Sequence, residues 1–183
     1  MTLPVLETAR FVLRPLAEAD EALYVSIYTD AALMQFVGAP MAADEAARAF
    51  RAFLRSNRQA DLRRACCWVI ERGGAGVPDT VGLLALIPHE GRAEIGVMVV
   101  AAWQGSKVAQ ETIGFLSGHL FRHGIWPAAF SRHVRANEAG AGVMRRLGFR
   151  EMDDVPGGAE FRGWELTRGE WKERMAATQR ETE

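Results

Sequence analysis

The stretch AEIGVMVVAAWQGSKVAQET, residues 93–112, decides how this chain folds. Its first part, Ala93–Val99, is short, largely apolar and typical of a strand. A loop follows over Ala101–Ser106, and the helical spacing of apolar residues over Gly105–His123 predicts a long helix that starts directly from this loop. The stretch therefore predicts a strand, a loop and a helix in immediate succession.

The loop has the features of an anion site. The first amides of a helix have no partner inside it and lie at the positive end of its dipole, so an anion can bind where a loop turns into them. Small Gly105 and Ser106 leave room for a diphosphate, and Lys107 adds a positive charge. On spacing alone a plain structural turn is the favoured interpretation, because many units of this kind contain a glycine.

A second segment, HVRANEAGAGVMRRLGF over residues 133–149, adds a similar unit. A strand is predicted over Ala128–Arg135, and Asn137 has the side chain of an N-cap for a helix that ends at Leu147. Gly148 follows, and glycine commonly ends a helix in a left-handed conformation. The chain thus contains two strand–helix units, one after the other.

The remaining segments alternate between strand-like and helix-like patterns. Strands are predicted over Arg10–Arg14, Cys66–Arg72, Thr80–Ile87, Arg92–Val99, Phe149–Asp153 and Phe161–Leu166, with turns at Gly73, Gly74, Gly76 and Pro78 and at residues 88–91. Further helices are predicted over Glu18–Phe36, over Asp44–Leu54 and after a capping box of Thr167 and Glu170. The order β-α-α-β-β-β-α-β-α-β-β predicts an α/β layer fold.

Composition narrows the class of protein. With 183 residues, 49% of them hydrophobic and 25% charged, the chain is expected to form one domain over residues 1–183. A formal net charge of −1 gives no reason to expect nucleic acid or a membrane surface as a partner, and neither a membrane span nor a signal peptide is predicted. Cys66 and Cys67 are adjacent, so a strand would point them to opposite faces, and two buried reduced thiols fit a cytoplasmic protein.

The two units together resemble the GNAT superfamily of N-acetyltransferases, and within it the RimJ/RimL type that acetylates protein N-terminal amines. The segments that carry the resemblance follow the order of the family: LETARFVLRPLAEAD, AEIGVMV, WQGSKVAQE, NEAGAGVMRRLGF and WELTRGEW. They cover nearly the whole chain. The resemblance implies an α/β GNAT acyl-CoA N-acyltransferase fold with a mixed, largely antiparallel, splayed central sheet flanked by helices, and acetyl-CoA as cosubstrate.

The resemblance also implies where the phosphates bind. The phosphate loop of the family, written Arg/Gln-x-x-Gly-x-Gly/Ala, begins here at Gln104 and ends at Ala109. The residues that would then lie along the pyrophosphate are Gly105, Ser106, Lys107 and Val108.

The rest of the cofactor would extend between the two units. The splayed strand would offer backbone groups of Val97, Met98 and Val99 to the pantetheine arm, with an amide near Val99 polarising the thioester carbonyl. Asn137 matches the asparagine that contacts the cofactor arm; a helix cap alone would also explain it, and both interpretations can hold together. Arg145 or Arg146 could reach the adenosine end.

Three positions depart from the family pattern. Lys107 stands where the loop has a glycine, which avoids conflict with the phosphates and permits unusual backbone angles. Gly140 stands where the branch has serine and Met144 where many members have tyrosine, and the family uses both positions to protonate the leaving thiolate. The only tyrosines, Tyr24 and Tyr28, lie in the first helix, so the usual general acid is missing. A thiolate leaves adequately without one, because thiol pKa values are only about 8.5.

Direct transfer needs a base more than an acid, since an ammonium group must lose a proton before it attacks. Glu94, on the strand beside the expected cleft, is the first candidate and would act through water; an exposed or ion-paired strand glutamate explains it equally well. His133, on the next strand, is the second candidate, and a strand-face histidine is the simpler interpretation. His119 and His123 have the i, i+4 spacing of zinc ligands, but no third ligand is evident, so no metal site is predicted.

Two functions are compatible with these residues. The first is an N-acetyltransferase that transfers an acetyl group from acetyl-CoA directly to a primary amine, either a protein N-terminus or a small molecule. The second is a GNAT-fold CoA-binding or regulatory module with weakened catalysis, which the three departures motivate. The sequence leaves the oligomeric state open and allows a homodimer; Trp126 and Trp164 could serve an interface, although single aromatic residues are more often core or edge packing.

Overall fold

The computed structural model of the chain describes residues 3–73 and 79–182, with side chains through Arg180. The turn predicted at Gly74, Gly76 and Pro78 lies outside these residues. No helix in the described part has the length and apolar character of a membrane span.

In the described residues, one sheet of eight strands forms the centre of the fold. The strands are β1 (Leu6–Glu7), β2 (Phe11–Pro15), β3 (Cys66–Arg72), β4 (Asp79–His89), β5 (Arg92–Val99), β6 (Ala128–Val134), β7 (Arg150–Glu151) and β8 (Phe161–Thr167). Their order across the sheet is β1-β2-β3-β4-β5-β6-β8-β7. The helices are α1 (Glu21–Thr29), α2 (Ala31–Met34), α3 (Ala43–Asn57), α4 (Val108–Arg122), α5 (Glu138–Leu147) and α6 (Arg168–Thr182).

The two central strands, β5 and β6, separate soon after they meet. They are the parallel pair in an otherwise antiparallel sheet, and they pair only at Ala93 with Ala129 and at Glu94 with Phe130. Each continues to pair with its outer neighbour, β5 with β4 as far as Val99 and β6 with β8 as far as Val134. The gap between them is the splay that the sequence predicted, and the mixed, largely antiparallel α/β fold is confirmed.

Strand alternation gives the sheet two apolar faces. On one face Trp68 and Ile95 form a core with Leu116 of α4 and Met144 of α5, and on the other Met98 forms a core with Tyr24 of α1 and Phe50 of α3. Complete burial of such side chains stabilises the fold by about 1.5–3 kcal/mol each.

The adjacent cysteines follow the same alternation. Cys66 belongs to the first core and Cys67 to the second, so the two thiols lie on opposite faces, as predicted, and both are free. Burial, with a smaller effect of Asp61, raises the pKa of the Cys66 thiol to about 12, and burial also raises that of Cys67. Both thiols therefore behave as small apolar side chains and not as nucleophiles.

The caps predicted from the sequence are confirmed. Asn137 Oδ1 accepts the Gly140 amide at 2.8 Å at the start of α5, and Gly148 ends that helix with φ +84°. At the start of α6 the Thr167 amide donates to Glu170 Oε2 at 2.9 Å, while the Glu170 amide donates to Thr167 Oγ1.

The helix predicted over Glu18–Phe36 is wrong as one piece. The chain forms a 3₁₀ turn over Glu18–Asp20, then α1, and breaks at Asp30 before α2. Asp30 is extended, and its Oδ1 accepts the amides of Ala32 and Leu33. A short carboxylate competes for backbone amides in this way, so it starts a new helix instead of continuing the old one.

The predicted start of α4 is wrong. The helix begins at Val108 and not at Gly105, because Gly105 and Lys107 have φ +77° and +61°. Two glycines of α4 face other helices: a Cβ on Gly114 would lie 2.8 Å from Leu147 of α5, and one on Gly118 would lie 3.6 Å from Trp171 of α6. They allow helices to pack closely on α4.

The two tryptophans considered for an interface pack within the chain. Trp164 is 2% exposed in the core. Trp126 is half-buried, and its indole N–H donates to the Leu62 carbonyl at 2.8 Å.

Candidate functional site

A cleft of about 740 Å³ opens where β5 and β6 separate. One side is formed by the end of β5, the loop after it and the first turn of α4; the other is formed by β6 and the start of α5. Helices α1 and α2 close one end. The lining residues that the sequence predicted are Val97, Met98, Val99, Gln104, Gly105, Lys107, Val108, Ala109, His133 and Asn137.

The loop before α4 turns several backbone amides toward one place. Two left-handed residues, Gly105 and Lys107, twist the chain just before the helix. Among the described residues, no acceptor lies within hydrogen-bond reach of the amides of Gly105, Lys107 and Val108–Gln110. These unpaired donors sit at the positive end of a 15-residue helix, an arrangement that suits an anion. We call residues 105–110 the phosphate cradle.

The backbone at Lys107 adopts a conformation that suits a glycine better than a lysine. Its backbone lies at φ +61°, ψ +18°, a conformation that costs an L-residue roughly 1–2 kcal/mol. The amide is still presented to the cradle, and the side chain is exposed. Lys107 therefore retains the donor and adds charge at the expense of backbone strain.

A polar cluster ties the cradle to the start of the sheet. Arg10 Nη2 donates to the Ser106 carbonyl at 3.0 Å, and Arg10 Nε donates to Glu111 Oε2 at 2.7 Å. The other oxygen of Glu111 accepts Thr8 Oγ1 at 2.6 Å and the Arg10 amide at 2.9 Å. Burial opposes the charge on Glu111, but the bonds from Thr8 and Arg10 prevail and lower the pKa of this carboxyl below its usual value. The charged cluster holds the loop in place.

The edge of β5 offers free amides to the cleft. Val100 donates to Val81 of β4 at 3.0 Å, and successive amides of a strand point to opposite edges. The amides of Val97 and Val99 therefore face the side of β6, which does not pair with β5 beyond Glu94. Gln104 Nε2 donates to the Val99 carbonyl at 3.3 Å and connects this edge to the loop.

Across the cleft, Asn137 has one half of its amide group unused. Its Oδ1 caps α5, whereas its Nδ2 has no hydrogen-bond partner among the described residues. A Cβ on Gly140 would lie 2.9 Å from this Nδ2 and 3.1 Å from His133 Cδ2, so the bulk of His133 and Asn137 explains the absence of a serine there. Met144 is 3% exposed and belongs to the core.

The two arginines of α5 differ in position. Arg146 lines the cleft, and its Nε donates to Gln110 Oε1 at 3.1 Å. Arg145 is not among the lining residues and lies 5.3 Å from the ring of Trp164. Ser106 is also outside the lining, and its carbonyl accepts the bond from Arg10.

Both ring nitrogens of His133 are occupied. The indole N–H of Trp164 donates to Nε2 at 2.9 Å, and Nδ1 lies 2.9 Å from the Val134 carbonyl. Because the indole can only donate, Nε2 is the acceptor and Nδ1 carries the proton. Burial lowers the pKa of His133, which favours the neutral ring, and the two bonds hold the ring in place.

Glu94 is held by an ion pair that crosses the splay. Its Oε1 accepts Arg132 Nε at 2.9 Å, and its Oε2 has no partner within the described ranges. Arg132 also donates to the Pro156 carbonyl and lies over the ring of Phe161. Glu94 itself is not among the lining residues, although Arg132 is.

The α1–α2 end of the cleft is apolar, and the sequence did not predict which residues form it. It consists of Tyr28, Leu33, Phe36 and Val37. The sequence predicted that Phe36 ends a long helix, but the break at Asp30 leaves it after α2, 39% exposed at the cleft. The Val134 amide donates to the Phe36 carbonyl at 3.0 Å, which fixes this turn against β6. We find no signal in the sequence for this contact.

His119, in the last turn of α4, and His123, directly after the helix, have ring centroids 4.6 Å apart, with the ring planes tilted by 52°. Within residues 3–73 and 79–182, no three His, Cys, Asp or Glu side chains form a group that could hold a metal ion, either with these two histidines or without them.

The chain is similar in sequence to one known protein family. The model of a family described as acetyltransferase (GNAT) domain matches residues 10–150. No protein of curated function matches the chain in sequence.

Several solved structures share the fold. An acetyltransferase from Agrobacterium tumefaciens has a TM-score of 0.78 at 22% identity, covering 91% of this chain and 95% of its own. A RimL ribosomal L7/L12 alpha-N-protein acetyltransferase in complex with coenzyme A has 0.69 at 19%, covering 91% and 98%. A spermidine N-acetyltransferase from Vibrio cholerae in complex with CoA and spermine has 0.71 at 16%, covering 88% and 98%. At these identities the likeness concerns the fold.

Proposed function

This chain belongs to the GNAT acetyltransferase family, and we propose that it transfers an acetyl group from acetyl-CoA directly to a primary amine. The acceptor is either a protein N-terminus or a small amine. One observation carries the proposal: unpaired amides of the phosphate cradle and of the β5 edge face the same cleft. Such donors suit an elongated ligand with phosphates at one end and carbonyl groups along its length.

The predicted cofactor residues fit acetyl-CoA in this order. The cradle, which includes Lys107, would hold the phosphates together with Arg146 from across the cleft. The amides of Val97 and Val99 and the free Nδ2 of Asn137 would hold the pantetheine arm from two sides. Arg146 replaces Arg145 as our candidate for the adenosine end, because Arg146 lines the cleft and Arg145 does not.

Acetyl-CoA supplies a thioester whose carbonyl carbon the amine attacks. The Val99 amide would donate to the carbonyl oxygen and stabilise the charge that develops there. The nitrogen–carbon bond forms, the carbon–sulfur bond breaks, and the sulfur leaves as a thiolate. The attached nitrogen loses its extra proton to solvent as the amide forms, and the thiolate takes a proton from solvent. No side chain is needed for this last step, since thiol pKa values are about 8.5.

Glu94 is the better candidate for the base. Its Oε2 is free to accept a proton through water, whereas neither ring nitrogen of His133 is free. We therefore propose that Glu94 removes the proton of the ammonium group and that Arg132 orients it. His133 would act as a positioning residue that packs between Trp164 and Gly140.

We extend the proposal to three broader features. We propose that residues 1–183 form one domain, and the single sheet that contains all the described strands supports this. The five segments quoted from the sequence resemble the RimJ/RimL type, and we propose that the chain is of this type. A reducing location, the cytoplasm, suits two buried free thiols.

The test is a titration followed by a kinetic assay. The purified protein is titrated with acetyl-CoA and with CoA by calorimetry, and thiol release is then followed over a panel of primary amines. We expect binding at micromolar ligand and release that depends on the amine. No binding at millimolar ligand would refute the proposal, and binding without turnover of any amine would favour the CoA-binding module.

A further inference from the structure

The α1–α2 end of the cleft is the part that the cofactor residues leave unassigned. Glu94, Gly96 and Met98 alternate along β5 and share one face, and Met98 packs with the α1–α3 core. Gly96 is exposed, and a Cβ there would meet nothing within 4 Å. This open space lies on the side of the sheet opposite to α4 and α5, within reach of an amine that attacks from α1 and α2.

The carboxylates in and beside the cleft are already compensated. Glu94 is paired with Arg132, and Glu138, at the start of α5, is paired with Arg162 at 3.1 Å. Among the described residues that line the cleft, no carboxylate lacks a basic partner. A polyamine would bring additional ammonium groups, and each would lose water without gaining a counter-charge.

The apolar side chains at the same end are accessible and fixed in position. Phe36 and Val37 are 39% and 38% exposed, and they adjoin Leu33 and Tyr28 in the lining. The bond from Val134 to the Phe36 carbonyl and those from Val37 and Gly38 to Met34 hold the turn. A rigid apolar wall of this kind binds an apolar group with little loss of entropy.

We propose that the acceptor is a primary amine carried on an uncharged apolar group, aromatic or branched aliphatic, and not a polyamine. The inference rests on the acetyl transfer proposed above and specifies its acceptor. The same chemistry is present in a small amine and in a peptide whose first residue is apolar.

The experiment measures kcat/KM for thiol release at saturating acetyl-CoA. The small amines are phenethylamine, isopentylamine, ethanolamine and spermidine, and the peptides begin with leucine or with aspartate. Phe36→Ala and Val37→Ala are compared with Met175→Ala, a matched control that removes a similarly exposed apolar side chain, 40% accessible, from α6.

We expect phenethylamine or the leucine peptide to exceed spermidine and ethanolamine by at least about 10-fold in kcat/KM. Phe36→Ala should lower kcat/KM for the apolar acceptors about 10-fold without changing the KM for acetyl-CoA, and Met175→Ala should have no effect. A higher kcat/KM for phenethylamine would indicate a small-molecule acceptor, and a higher value for the leucine peptide would indicate a protein N-terminus.

Two results would overturn the inference and leave the proposed function intact. One is turnover of spermidine, ethanolamine or the aspartate peptide at least as fast as that of the apolar acceptors. The other is an unchanged acceptor preference in both Phe36→Ala and Val37→Ala. Binding of acetyl-CoA without thiol release for any acceptor refutes the proposed function itself, and the inference with it.

Discussion

Replacing Lys107 by glycine should stabilise the protein. The left-handed backbone at φ +61° costs a lysine roughly 1–2 kcal/mol, which a glycine avoids. Glycine also loses more backbone freedom on folding, which offsets about 0.5–1 kcal/mol of that gain. The free energy of unfolding should therefore rise by about 0.5–1 kcal/mol, and Tm by about 1–4 °C for a chain of this length.

The same substitution should weaken binding of CoA. The exposed ammonium group of Lys107 lies beside the cradle, and near a protein surface such a charge contributes up to about 1 kcal/mol to an ion pair. Its removal should raise the Kd for CoA about fivefold at low salt and less at high salt, because salt screens exposed charges. Stability and affinity thus change in opposite directions.

Lys107→Ala is the matched control, because it removes the charge and keeps the Cβ that causes the strain. We expect it to lose the same affinity and to gain no stability. Urea unfolding at pH 7 measures the stability, and calorimetry at two salt concentrations measures the affinity for CoA. If Lys107→Gly were no more stable than Lys107→Ala, the reasoning about the left-handed backbone would be refuted.

Three further predictions concern the cleft and the polar groups beside it. Glu94→Gln should lower kcat/KM about 100-fold and remove the acidic limb of its pH profile; an unchanged profile would exclude Glu94 as the base. Gly140→Ser should cost about 1 kcal/mol in urea unfolding and weaken CoA binding, since its Cβ lies 2.9 Å from Asn137 Nδ2, whereas Gly142→Ser meets only the flexible end of Arg146 at 3.3 Å and should be near neutral. Glu111→Gln should cost about 1 kcal/mol at pH 7. The folded pKa of Glu111 is lowered, so its stabilisation is complete above about pH 4.3 and is lost as pH falls through the folded pKa. The difference from the wild type in urea unfolding should therefore shrink at pH 3, and a constant difference would contradict the charged cluster.

Local chemistry made much of the fold predictable from the sequence. The caps at Asn137 and Thr167 depend on residues within three positions, and the strands of the β3–β5 meander follow from apolar runs between turn residues. The break at Asp30 was missed because the apolar spacing continues through it, and only the bonds from its side chain to later amides reveal the new helix.

The candidate site depends on contacts that no local pattern contains. Glu94 meets Arg132, 38 positions later, and His133 meets Trp164, 31 positions later. Neither partner is implied by strand alternation, which fixes the face of a side chain but not its neighbour across a splayed sheet. The exposed position of Phe36 likewise follows from the turn after α2 and from its bond to β6.

The central claim is that the splay between β5 and β6 binds acetyl-CoA with its phosphates in the cradle. Amide chemical shifts of the ¹⁵N-labelled protein, titrated separately with CoA and with pantetheine, test it most directly. The account predicts that CoA shifts the amides of Gly105, Lys107 and Val108–Gln110 together with those of Val97 and Val99. Pantetheine, which has no phosphate, should shift the amides of Val97 and Val99 but not those of the cradle. Shifts by CoA that leave the cradle amides unchanged would contradict the account.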